Sequence, residues 1–139
     1  MARERILVDS SFLYAAYDEM DKFHEAAAEE LDADQILLIP EVVLVEVTYL
    51  LKKRVGIPRT LDFLDTISET ELPFINLDRN DILRTRDIMA TYADNRFDFV
   101  DCCVMALAER LNVTKIYTFD RRDFRVFRPQ HCDYLELLP

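Results

Sequence analysis

Four carboxylates stand where a soluble chain normally places apolar residues. Asp9 closes the run Ile6-Leu7-Val8, and Glu46 interrupts Val42-Val43-Leu44-Val45-Val47. Asp101 interrupts Val100-Cys102-Cys103-Val104, and Asp120 follows Ile116-Tyr117-Thr118-Phe119. A charge among residues destined for a core is costly unless it is paired or binds a cation. Four such acids spread over the chain point to one acidic pocket that holds metal. Oxygen donors suit hard divalent cations, so Mg²⁺ or Mn²⁺ is the expected occupant. Clustered carboxylates repel one another, and without metal at least one should retain a proton near neutral pH.

Each acid also has a local reading. Asp9 precedes Ser10-Ser11-Phe12 and suits a helix N-cap. Asp98 and Asp101, spaced i, i+3, share a helix face. Asp98 reads as that helix's N-cap, with metal contact the lesser alternative, and Asp101 falls in the first turn, where the helix dipole tolerates negative charge. Asp120 and Asp123 flank Arg121-Arg122 in a predicted turn, and either one suits a turn former. Glu46 resists such treatment: inside an apolar helix it needs an arginine partner, a proton or a cation.

The elements that must position these acids follow from periodicity. Short apolar runs at 5–8, 36–39, 73–77, 115–119 and 134–138 have strand length. Phe23, Ala27 and Leu31 at i, i+4, i+8 predict an amphipathic helix over 22–32. Segment 41–54 is apolar nearly all round up to Lys52-Lys53-Arg54, and its length predicts a buried helix despite its valines. Pro58 suits the first turn of a helix to Glu69, and further helices are expected over 80–93 and 98–112. Strands alternating with helices imply an α/β fold, with a mostly parallel sheet of about five strands and helices on both faces. In such sheets ligands bind beyond the carboxyl ends of the strands, where Asp9 and Asp120 fall.

Composition bounds the remaining possibilities. The 139 residues suit a single domain over 1–139, and an apolar fraction of 50% is ample for a core. No apolar stretch approaches the ~18–20 residues of a membrane span, and Met1-Ala2-Arg3-Glu4-Arg5 does not resemble a signal peptide. Three cysteines, two of them adjacent, fit neither a disulfide framework nor a zinc element, so a reducing cytoplasm is expected. A zinc site is disfavoured, since only His24, expected on a helix surface, and His131, expected in a terminal turn, are present. The single glycine excludes a glycine-rich phosphate loop, and no Gly-x-Ser-x-Gly elbow exists. Net charge is −10, with an acidic run from Asp18 to Asp34. Against that background Arg110, Lys115, Arg121, Arg122, Arg125 and Arg128 form a basic segment that could track a phosphate backbone.

The four acidic segments together resemble the PIN-domain nucleases, particularly the compact VapC-type toxins of toxin–antitoxin modules. The carriers are Ile6-Leu7-Val8-Asp9-Ser10-Ser11, Pro40-Glu41-Val42-Val43-Leu44-Val45-Glu46-Val47, Phe99-Val100-Asp101-Cys102-Cys103 through Ala108, and Tyr117-Thr118-Phe119-Asp120-Arg121-Arg122-Asp123-Phe124. The resemblance implies a three-layer α/β/α PIN-like fold, and it implies that Asp9, Glu46, Asp101 and Asp120 hold Mg²⁺ or Mn²⁺. It also implies that Ser10 and Thr118 assist through their hydroxyls. It leaves the roles of Asp98 and Asp123 open.

The expected activity is metal-dependent endoribonuclease hydrolysis of RNA phosphodiester bonds, and the resemblance implies that it leaves 5′-phosphate and 3′-hydroxyl ends. Asp9, Glu46 and Asp101 would bind the principal ion, and Asp120 would bind a second ion or orient water. Arg121, Arg122 and Arg125 are candidates for holding RNA phosphates. The expected partners are RNA, an antitoxin whose tail covers the acidic groove, and a second copy of the chain docked through an exposed helix face within 41–70. The alternative is a non-catalytic PIN-like module that binds RNA or protein.

Overall fold

The computed structural model describes residues 3–31 and 34–139. Asp32, part of the acidic run and of the helix expected over 22–32, lies outside the described residues. Five strands form one sheet: β1 (Glu4–Val8), β2 (Gln35–Pro40), β3 (Phe74–Ile75), β4 (Lys115–Tyr117) and β5 (Glu136–Leu138). The order is β3-β2-β1-β4-β5 and every pairing is parallel. β1 is the central strand, and Ile6, Leu7 and Val8 are each no more than 1% exposed. This explains their unbroken apolar run, because a parallel strand covered on both faces has no wet side to alternate with.

The helices are α1 (Ser10–Tyr17), α2 (His24–Glu30), α3 (Glu41–Arg54), α4 (Ile57–Glu69), α5 (Arg79–Thr91), α6 (Phe99–Leu111) and α7 (Arg122–Val126). α1 packs on α2 and α3, and α3 packs on α4, while α5 packs on α6 and α6 on α7. The chain crosses outward from β1 to β3, then returns to β4 on the far side. Right-handed crossovers in opposite directions put the two helix groups on opposite faces of the sheet, giving the three layers. The reversal leaves a crevice beyond the carboxyl ends of β1 and β4.

Local chemistry sets the boundaries. Gly56, at φ 96°, separates α3 from α4 and occupies backbone space that other residues seldom adopt. Asn112, at φ 55°, ends α6 in the left-handed region that asparagine tolerates. Asp78 and Asp81 form a reciprocal capping box at the start of α5.

Three expectations need correction. α3 is not buried all round: Val43, Val47 and Leu51 form its only buried stripe, while Val45 and Tyr49 are 68% and 62% exposed. The apolar run misleads because valine and tyrosine remain on a helix face that no element among the described residues covers. The helix expected over 22–32 is shorter, beginning after Phe23, whose ring stacks on Phe119 at 4.4 Å. His24 is half-buried, with Nδ1 2.7 Å from the Ala15 carbonyl oxygen, and is not a free surface group.

Candidate active site

Asp9 follows β1 directly and is 3% exposed. It does cap α1: its Oδ1 accepts the Phe12 N–H at 3.0 Å. The same oxygen accepts the Ser11 hydroxyl at 2.7 Å, and Oδ2 accepts the Thr118 hydroxyl. Capping and site position are therefore one arrangement, since the parallel sheet delivers the N-cap of α1 into the crevice. Burial raises the Asp9 carboxyl from 3.8 to about 6, against the opposing pull of these three donors.

The turn after β4 faces Asp9. Thr118 is fully buried, and its hydroxyl also accepts the Asp120 N–H at 3.0 Å. Ser11 Oγ accepts the N–H groups of Phe119 at 2.9 Å and Asp120 at 3.2 Å. Asp120 is thus held by its backbone while its carboxylate stays exposed. A recess of about 190 Å³ opens beside it, lined in part by Ser11, Tyr14, Phe23 and Phe119.

Glu46 reaches the site from the middle of α3. Ser10, in the first turn of α1, donates to Glu46 Oε1 at 2.6 Å. Partial burial raises the Glu46 carboxyl, the Ser10 hydroxyl opposes that shift, and Asp98 reinforces it. Asp98 stands at the N-cap position of α6 without making the capping hydrogen bond expected of it. Its carboxylate instead lies near enough to Glu46 to perturb it, while buried Asp123 accepts the Asp98 N–H at 3.5 Å.

Asp101 sits one turn into α6, half-buried, and accepts no hydrogen bond from any described residue. Burial, followed by the charges of Asp9, Asp120, Asp123 and Asp98, lifts it from 3.8 to about 8. This is the proton-retaining carboxyl that crowded acids demand. Among the described residues, no three Asp, Glu, His or Cys side chains already form a shell ready for a metal ion. The donor set still fits a hard cation, because it is all oxygen and Asp101 lacks any positive or hydrogen-bonding partner. Mg²⁺ in particular keeps several waters and takes only one or two carboxylates.

The sequence pattern of the PIN domain matches residues 6–128, from the strand that delivers Asp9 to the last of the basic segment. The chain belongs to the PIN-domain family. This PIN domain is 32% identical over 126 residues to Ribonuclease VapC26 of Mycobacterium tuberculosis, covering 89% of this chain and 93% of that protein. The crystal structure of Mycobacterium tuberculosis VapC20, described as a sarcin–ricin loop cleaving toxin, superposes with a TM-score of 0.82 at 19% identity. That match covers 96% of this chain and 99% of the other. VapBC2 from Rickettsia felis, solved bound to a DNA fragment from its promoter, gives a TM-score of 0.69 at 16% identity, with 96% of each chain covered. These two structures share the fold.

Ser11 stands in the first motif of this PIN domain with no task that the sequence assigns it, yet its hydroxyl ties the end of β1 to the turn after β4. A signal existed, because side chains in a helix's first turn lean back toward its N-terminus and so toward Asp9. The basic segment divides. Arg110 pairs with Asp81 at 3.0 Å, Lys115 with Glu4 at 2.7 Å, and Arg122 with Asp123 at 3.3 Å. Arg121, Arg125 and Arg128 have no carboxylate side-chain partner among the described residues.

Proposed function

We propose that this PIN domain is an endoribonuclease dependent on Mg²⁺ or Mn²⁺, and that it acts as the toxin of a toxin–antitoxin pair. The observation that carries the metal-dependent chemistry is Asp101, a half-buried acid with no donor, raised to about 8 among Asp9, Asp120, Asp123 and Asp98. The similarity to Ribonuclease VapC26 over nearly the whole chain supports RNA as the substrate.

Asp9, Glu46 and Asp101 would hold the principal ion, with Asp120 serving a second ion or a water, and Asp98 a further acidic neighbour. Bound there, the ion would neutralise charge on the scissile phosphate and acidify water. Ser10 keeps Glu46 turned inward and favours its ionised form. Ser11 and Thr118 fix the Asp9 carboxylate and the backbone beneath Asp120, so neither acid must reorganise when substrate arrives. The exposed Asp120 carboxylate at the rim would accept a proton from water.

Two partners fit the surface. The acidic crevice would accept arginine or lysine from a basic antitoxin tail, and a solved neighbour is a VapBC assembly. Val45 and Tyr49 on α3 with Ile57, Leu61 and Leu64 on α4 leave apolar area that a second copy would cover. No helix among the described residues is long and apolar enough to cross a membrane.

The test is RNA cleavage by EDTA-stripped protein before and after Mn²⁺ is restored, alongside Asp9→Asn. Cleavage is expected only with metal and only in the unsubstituted protein. Cleavage that persists in EDTA, or in Asp9→Asn, would overturn the reading.

A further inference from the structure

The recess beside Asp120 shares Ser11 and Asp120 with the acidic site, but the rest of its lining is of another kind. Tyr14, Phe23, Leu50 and Phe119 make it apolar, and Asp21 and Arg54 add two polar groups that the acid cluster does not use. Its volume of about 190 Å³ is that of about six waters at ~30 Å³ each. Sites for larger ligands begin near ~300 Å³, so this one takes a single flat ring system and leaves anything attached to it outside.

The walls are fixed before anything enters. Asp18, 5% exposed, accepts the Tyr14 hydroxyl at 2.7 Å and the Met20 N–H at 3.0 Å, which ties down the loop between α1 and α2. Asp21 Oδ1 accepts the Phe23 N–H at 2.9 Å, and the Phe23 and Phe119 rings stack 2° from parallel. Walls set in advance lose little freedom on binding and cannot repack around a ligand of the wrong shape. The two polar groups keep bonding capacity in hand. Asp21 Oδ2 accepts no hydrogen bond from a described residue. Arg54, the exposed last residue of α3, rests over the Tyr14 ring at 5.1 Å and has no carboxylate partner among the described residues. One side of the recess therefore offers a planar fork of donors, and another offers a carboxylate oxygen that lacks a donor.

Resting on the endoribonuclease reading, we propose that this recess receives a guanine base flanking the cut, with Arg54 and Asp21 reading its edge. A phosphodiester held by the acids leaves a neighbouring base beside Ser11 and Asp120, where the recess opens. Guanine answers both polar groups. Its N7 and O6 accept from a guanidinium fork, the commonest specific contact between arginine and a base, and its N1–H and N2–H donate toward one carboxylate. Adenine and uracil present no adjacent pair of acceptors, and cytosine gives a carboxylate only its amino group. Arg54 and Asp21 thus determine which sequence is cut, and the acid cluster does the cutting.

The experiment is Mn²⁺-dependent cleavage of a short RNA pool of randomised sequence, with the new ends sequenced. Guanine should be enriched at one position flanking the cut by about tenfold over each other base. Arg54→Lys keeps the charge and loses the fork, so it should abolish most of that enrichment, as should Arg54→Ala. Asp21→Asn keeps an oxygen for the Phe23 N–H and turns the other into a donor that opposes those of guanine, so enrichment should fall here too. Enrichment is a ratio within one sample, and a variant that folds only in part still reports it. Titration with the four nucleoside monophosphates in EDTA gives a reading free of cleavage: guanosine monophosphate should bind about tenfold more tightly than the others, and Arg54→Lys should remove the difference. No enriched base, enrichment of a different base, or guanine enrichment unchanged in Arg54→Lys and Asp21→Asn would remove the guanine site and leave the nuclease reading. Selective binding of guanosine monophosphate with no cleavage of any RNA would do the opposite. Equal binding of all four, expected if the recess instead receives a side chain from a protein partner, would overturn the proposal.

Discussion

The Ser10 hydroxyl donates to Glu46 Oε1 at 2.6 Å, joining the first turn of α1 to the middle of α3. A residue beside one acid thereby sets the ionisation of another. Ser10→Ala removes the hydroxyl that opposes the upward shift of Glu46. The acidic limb of the pH–rate profile for Mn²⁺-dependent cleavage should then move to higher pH. An unmoved limb would show that Glu46 does not need its charge in the reaction.

Thr118 offers a second handle on the same profile. Thr118→Val keeps the buried shape and removes the hydroxyl that Asp9 and the Asp120 N–H share. Burial raises Asp9 to about 6 and Thr118 opposes it, so the variant should shift Asp9 further up. Stability should fall by about 1–2 kcal/mol, because buried polar groups lose a partner. Urea unfolding measures the second effect and the pH–rate profile the first.

Asp101 should make the metal-free protein less stable as pH rises. Its carboxyl is near 8 when folded and ordinarily 3.8, so the unfolded chain releases its proton first. The stability tied to this group is whole below pH 4 and is lost as pH climbs toward 8. Asp101→Asn, which carries no titrating proton, should gain on the order of 3 kcal/mol over the parent at pH 8 in EDTA. It should also fail to cut RNA. Equal unfolding midpoints at pH 5 and pH 8 in the parent protein would refute the first expectation.

The ion pair between α5 and α6 behaves with the opposite sign. Arg84 meets Glu109 through two bonds of 2.6 and 3.0 Å, and Glu109 also accepts the Gln130 N–H at 2.9 Å. Burial opposes ionisation of Glu109, yet Arg84 and the Gln130 N–H outweigh it and lower the carboxyl. Its contribution is present above the ordinary glutamate range and is lost as pH falls through the lowered value. Glu109→Ala should cost about 2 kcal/mol, since it strands a partly buried arginine. Denaturation at neutral pH would detect this, and metal-dependent cleavage at a permissive temperature should survive.

Much of this was legible in the sequence because each relevant acid interrupts an apolar run. Asp9 and Asp101 could be placed by reading one strand and one helix, and the boundaries of α3 followed from length and the Lys52-Lys53-Arg54 stop. The exposure of Val45 and Tyr49 was not legible, because periodicity shows that a helix is apolar and not whether anything covers it. Ser11 escaped for another reason. Its partners are Phe119 and Asp120, and no local pattern announces a bond between the first turn of α1 and a turn near the other end of the chain. Asp98 does take the N-cap position that the sequence predicts, but without the capping bond that this position normally implies. Here the backbone takes that position while the side chain stays with the other acids.

The central place of β1 has a consequence for synthesis. Asp9 and its hydroxyl partner Thr118 are 109 positions apart, and Thr118 stands just after β4, the strand at the other flank of β1 from β2. A nascent chain can lay β2 beside β1 early, but it cannot seat Asp9 against the last acidic turn until Thr118 has left the ribosome. The acidic crevice therefore stays unassembled during synthesis until the chain has passed Thr118, and the fold's topology keeps Asp9 and Asp120 apart while the early strands already pair.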